Sequence, residues 1–220
     1  MTTKNIYIVS GILPQTIEVT NFNMAMVWSL LWAILLVGGS VFIAWALSKV
    51  MQKRGMKTSH TTAIAIAGVF SLALFAKYGV SVTAVQGIFL LFVLLYASCS
   101  DLTSHTVDDF VWVTVLALAL VGMNHIGIGS MLLGAACVFI PQIALSLLPP
   151  HKTLGGADIK LSTALAFLLG VWRGIGAYLI GLILALIVMS IYSKCTNRCK
   201  RKPFALVPFL SIGAMLMFLI

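Results

Sequence analysis

Residues 110–150 run for 41 positions without one formally charged side chain. Comparable runs cover 19–48, 58–76 (interrupted only by His60), 78–100, 174–193 and 203–220. A water-soluble domain carries roughly 25% charged residues because its surface must be hydrated. Here 9% are charged, 61% are hydrophobic and the mean hydropathy is +1.10. A soluble enzyme, a disordered region, a coiled coil and a secreted disulfide scaffold are thereby excluded. What remains is an all-α, polytopic membrane protein, whose backbone polar groups are satisfied inside helices.

About 20 apolar residues carry a helix across roughly 30 Å of hydrocarbon, so five of the runs give one crossing each. The 110–150 run is long enough for two, with its turn at Asn124-His125-Ile126-Gly127-Ile128-Gly129. The stretch between Asp158 and Arg173 is short for a span and has to begin near Gly155 or Gly156, ending near Arg173 to Gly176. The sequence therefore predicts about eight transmembrane helices. Eleven of the fourteen basic residues fall in the loops after helices one, five and seven: Lys49, Lys53, Arg54 and Lys57, then Lys152 and Lys160, then Lys194, Arg198, Lys200, Arg201 and Lys202. Positive charge collects on the cytoplasmic side, which predicts both termini outside the cytoplasm. The chain reads as one integral membrane domain over 1–220, with a polar extracytoplasmic segment at 1–23 that has no apolar run suited to a cleavable signal.

The five acidic residues are Glu18, Asp101, Asp108, Asp109 and Asp158. Asp101 directly follows the uncharged run 78–100 and so belongs to the inner end of helix three. By the length argument Asp158 belongs to the first turn of helix six, on the same side and at similar depth. An acid at the membrane edge that faces a wet cavity or a partner is a functional candidate by default. Two carboxylates that share a site hold a proton between them. In that state the ionised member takes a proton from water while the protonated member donates to a peptide carbonyl oxygen. Such chemistry needs no metal and no cofactor.

The residues around these aspartates carry a resemblance. Asp101, Val107 six positions on and Asp109 eight positions on, followed by Gly155-Gly156-Ala157-Asp158-Ile159-Lys160-Leu161, resemble the type IV prepilin peptidases of the GxGD class of membrane aspartic proteases. The match covers 78–170, helices three to six. It implies Asp101 and Asp158 as the catalytic pair. It also implies cleavage of a short basic leader from prepilins or pseudopilins at the cytoplasmic face of the bacterial inner membrane, with membrane lipid but no nucleic acid as a further partner. Gly155, Gly156 and Ala157 are candidates to let a substrate strand approach. Ala157 stands where the family's second glycine is usual, and Asp108 where a proline is usual. The loop at 49–59 lacks the paired Cys-x-x-Cys insert of bifunctional members, so S-adenosylmethionine enters only if methylation is retained.

Other residues have more than one reading. Asp109 binds substrate, positions its loop, or is an acid favoured by the amino end of helix four. Lys160 tunes an aspartate or anchors its helix at the headgroups. His105 and His151 lie near the aspartates without metal-ligand spacing, and Cys195-Thr196-Asn197-Arg198-Cys199 is a single pair where a structural zinc needs four ligands; no metal is expected. The alternative function is a proton-coupled transporter using the same aspartates as a relay, although its acids would be expected near the midplane with paired repeats. A catalytically silent assembly subunit is disfavoured by the intact pair.

Overall fold

The computed structural model describes residues 13–56, 58–121, 123–147, 155–196 and 205–220. Among them the regular structure is entirely helical: α1 Leu13–Lys53, α2 His60–Tyr78, α3 Val82–Ser104, α4 Asp109–Val121, the single turn α5 Met123–Ile126, α6 Ile128–Leu147, α7 Gly156–Thr196 and α8 Val207–Leu219. Five helices are long and apolar enough to cross a membrane, and α4 and α8 are shorter apolar helices. The first helix starts at Leu13, inside the segment expected to precede the first span. The turn expected around Asn124 is present, formed by α5 and Gly127 at φ 80°.

α3 is the central helix. Its most apolar stretch is 61% buried, against 11–22% in the other candidate spans, and it packs on α2, α4 and α8. The core gathers Leu90, Leu94 and Ala97 of α3 with Val111 and Val115 of α4, Leu161 and Leu168 of α7, and Val207 and Ala214 of α8. The outer faces are apolar too, with Ile34, Phe42, Val69 and Leu186 all exposed. That pattern suits lipid, which offers no hydrophobic drive between helices; close approach through small residues supplies packing instead. A Cβ at Gly134 would lie 2.7 Å from the Gly170 carbonyl carbon, and one at Gly213 would lie 2.3 Å from the Ala177 carbonyl oxygen.

α7 is interrupted at Gly170, whose φ of 77° and ψ of −173° no residue with a side chain adopts cheaply. The chain reverses there. Gly174 lies directly on Ala166, only 2.8 Å separating an added Cβ from the Ala166 Cα, and eight residues along a straight helix would be some 12 Å apart. The two arms of α7 therefore form a hairpin. Its turn lies a few residues before the Arg173 to Gly176 region expected from sequence, because the charge marks the membrane edge while only glycine can make the bend. Trp172, 88% exposed, follows the bend.

Contacts sort the helix ends into two groups. Gln52 in α1's last turn donates to the Thr58 carbonyl before α2, and Arg54 donates to the Tyr96 hydroxyl on α3. At the opposite end Lys77 holds the carbonyls of Leu219 and Ile220, Tyr78 donates to Phe218 O and Arg173 to Ile220 O. The carboxyl end of α3 and the amino ends of α4, α7 and α8 all lie with the first group.

Candidate active site

Asp101 occupies the last full turn of α3. That helix begins at Ser81, whose hydroxyl accepts from the Ala84 N–H at 3.2 Å. It stops at His105, the one non-glycine residue of positive φ among those described, at 53°. The left-handed turn lets the His105 N–H return to the Asp101 carbonyl at 3.0 Å, which closes the helix one turn after Asp101. Ser100 donates to Thr106 O at 2.9 Å and Ser104 to Ser100 O at 2.9 Å, so the segment leaving the helix is pinned. The Asp101 side chain, 6% exposed, turns into the bundle, where its Oδ2 accepts from the Val207 backbone N–H of α8 at 3.0 Å.

Asp158 lies in the first turn of α7, as its sequence position predicted. Its N–H reaches Gly155 O at 3.1 Å. The half-buried carboxylate folds back over Gly155, where a Cβ would sit 3.0 Å from Asp158 Oδ2. Asp101 and Asp158, 57 positions apart in the chain, lie at the same end of the bundle, within electrostatic reach of each other. Gly156 has open space around its Cα, and Ala157 is half-buried. Of the two glycines, only Gly155 lies where an added side chain would meet the acid.

A second group lies beside the first. Asp109 opens α4 and is exposed. Its Oδ1 accepts from Lys160 Nζ at 2.8 Å and from Trp112 Nε1 at 3.0 Å. The Lys160 ammonium, aided by the Trp112 donor, holds the Asp109 carboxyl below the usual carboxylate range. Lys160 also stands 5.7 Å from the centre of the Trp112 ring. Thus Asp109 and Lys160, separate candidates in the sequence, meet as a pair. Asp108 accepts from the Tyr96 hydroxyl at 2.6 Å, and Tyr96 accepts from Arg54 at 3.2 Å, tying the loop after α1 to the loop before α4.

Two features escaped sequence reasoning. Gln142, 1% exposed, sits one residue after Pro141 in α6 and exchanges hydrogen bonds with Ser162 Oγ at 2.8 and 3.0 Å. A lone amide inside a long apolar run was the available signal. The Val207 donor is a backbone group and left none. His151 and Cys199 lie outside the described residues, as does the side chain of Cys195. Among the described residues no three His, Cys, Asp or Glu side chains gather to hold a metal ion.

Residues 88–190 match the model of the type IV leader peptidase family. That stretch contains Asp101, Asp109, Gly155, Asp158 and Lys160 and leaves out α1, α2 and α8. No curated protein and no solved structure matches the chain. Residues 88–190, which hold Asp101 and Asp158 and most of the helices that present them, are thus similar to the type IV leader peptidase family.

Proposed function

We propose that the protein is a membrane aspartic endopeptidase that removes the short basic leader of type IV prepilins or pseudopilins, with Asp101 and Asp158 as its catalytic pair. The observation that carries this reading is that Asp101, enclosed in the last turn of α3, and Asp158, in the first turn of α7, both fall within a segment that matches a leader peptidase family.

In the reaction, the ionised carboxylate of the pair takes a proton from a bound water as its oxygen attacks the scissile carbonyl carbon. The protonated carboxyl gives its proton to the carbonyl oxygen. Collapse of the tetrahedral intermediate breaks the C–N bond, and the leaving amine takes up the proton removed from water. Neither a metal nor a nucleophilic side chain takes part. S-adenosylmethionine would be required only for a separate methylation of the new amino terminus.

The membrane setting suits this substrate. The apolar helix of a pilin lies in the bilayer, and its leader emerges at the boundary, at the end of the bundle that carries Asp101 and Asp158. The basic loops follow or precede the same helix ends, which by the positive-inside rule supports a reading with the pair on the cytoplasmic side; the setting we propose is a bacterial inner membrane crossed by about eight helices. Proton-coupled transport finds no support in the family match.

The test is cleavage of a purified prepilin in detergent, read from the mass of the mature N-terminus. The wild-type chain should cut at the leader boundary, and Asp101→Asn or Asp158→Asn should leave the precursor intact while the protein remains folded. Full processing by either variant would remove the dyad from the mechanism.

A further inference from the structure

The last helix lies outside the stretch that matches the family, yet it reaches the reacting groups. Val207 is the first residue of α8, where four backbone N–H groups have no partner within the helix. One of them, the Val207 N–H, donates to Asp101 Oδ2 at 3.0 Å. A second tie fixes the register of the two helices: Ser98 Oγ on α3 donates to Ser211 Oγ on α8 at 3.0 Å. Pro208, in the first turn, presets the backbone for a helix start, and the Val207 side chain is fully enclosed. The donor is therefore built into a rigid, packed helix end rather than a loop.

Resting on the aspartic peptidase reading, we infer that the amino end of α8 is a positioning element of the active site, which holds one oxygen of Asp101 so that the other is presented to water and to Asp158. A carboxylate on a single-bonded stem rotates freely. Taking Oδ2 into a hydrogen bond with a fixed main-chain donor removes that freedom, and a carboxylate aimed in advance is worth rate rather than substrate affinity. The other neighbours do different work. His105 closes α3 through its backbone, Arg54, Tyr96 and Asp108 form their own chain more than a turn away, and Asp158 approaches from α7. α8 supplies the donor.

The experiment replaces the Val207 amide by an ester, incorporating 2-hydroxy-3-methylbutanoic acid in the full-length protein, and measures kcat and KM on a purified prepilin. The same change at Leu210, whose N–H serves only the helix through Leu206 O at 3.3 Å, is the control. Losing one hydrogen bond to a carboxylate should lower kcat about 10- to 100-fold in the Val207 ester, with KM within about twofold. The Leu210 ester should hold kcat within about threefold of wild type. Equal losses in both esters or an unchanged Val207 ester would each overturn the inference. Absence of cleavage by the wild-type protein would instead sink the peptidase reading itself.

Discussion

Lys160 Nζ and Asp109 Oδ1 meet at 2.8 Å, joining the first turn of α7, two residues past Asp158, to the first residue of α4. The side chains are 51% and 76% exposed, so water and salt screen the pair, and exposed bridges contribute little to stability. Its worth is geometric, because it fixes the spacing of two helix ends beside the aspartates. Asp109 is the group whose titration matters. Its carboxyl is held below the ordinary range by Lys160, so the folded state binds its proton less readily than the unfolded chain does. Whatever the pair contributes is present above the unfolded value near pH 3.9 and is lost as pH falls through the lower folded value. Lys160→Gln should therefore melt within a degree or two of wild type in detergent at pH 7 and low salt, and any difference should vanish once the pH falls below the lowered Asp109 value. A large loss at neutral pH would show the bridge to be a structural tie.

Gly155 and Gly156 are neighbours with unlike surroundings. A methyl group at Gly155 would press on Asp158 Oδ2 at 3.0 Å, whereas Gly156 has nothing within 4 Å. The carboxylate is the far end of a rotatable side chain, so Gly155→Ala is met by a shift of the acid rather than by unfolding. Displacement of a reacting group by part of an ångström is costly in rate. Cleavage by Gly155→Ala should fall about tenfold with little change in melting temperature, while Gly156→Ala should remain within about twofold of wild type. Equal activity in the two variants would show that Gly155 does not shape the site.

How far the sequence could be read depended on which physical signal each feature leaves. The helices were legible because a span has to exclude charge over some 20 residues, and the runs 78–100 and 110–150 do so without exception. Asp101 and Asp158 were legible because acids are so scarce that each stands out, and Gly155 to Leu161 carries a recognisable pattern. That Lys160 would pair with Asp109 was not, since either side chain had several plausible partners. The bend at Gly170 was masked by ten other glycines and alanines between 155 and 185, any of which packs as readily against a helix. Val207 contributes only its backbone, which every residue but proline possesses.

The bend at Gly170 offers a comparison with Gly127, since both have positive φ, 77° and 80°. Around Gly127 there is open space. At Gly170 a Cβ would lie 2.8 Å from both Ile126 Cγ2 and Ser130 Oγ. Alanine at Gly127 has only the left-handed backbone to accommodate, about 1–2 kcal/mol. Gly170→Ala combines a backbone conformation costing of order 1–3 kcal/mol with a collision at the packing of α7 against α6. Thermal unfolding in detergent should show the larger drop for Gly170→Ala. The reverse order would show that the reversal does not depend on a glycine.

Gln142 and Ser162 form the buried polar contact between α6 and α7, exchanging bonds at 2.8 and 3.0 Å. Ser162 lies four residues after Asp158, on the same face of α7, so this contact sets how the arm bearing Asp158 lies against α6. Pro141 sharpens the dependence: it has no N–H for the Cys137 carbonyl, which leaves this turn of α6 short of one internal tie. Ser162→Ala leaves the enclosed amide without its serine partner, at a cost of about 1–3 kcal/mol. Ser162 retains a bond to Ile159 O at 3.2 Å, so Gln142→Leu leaves no orphan hydroxyl and should cost less. The double variant removes both halves of the contact at once and should be less harmful than the sum of the singles, with a coupling of about 0.6–1.7 kcal/mol, the range for hydrogen bonds between membrane helices. Unfolding of the four proteins in mixed micelles measures it directly. Additivity within about 0.3–0.5 kcal/mol would mean that the two residues act independently and that the register of α7 against α6 rests on its small residues alone.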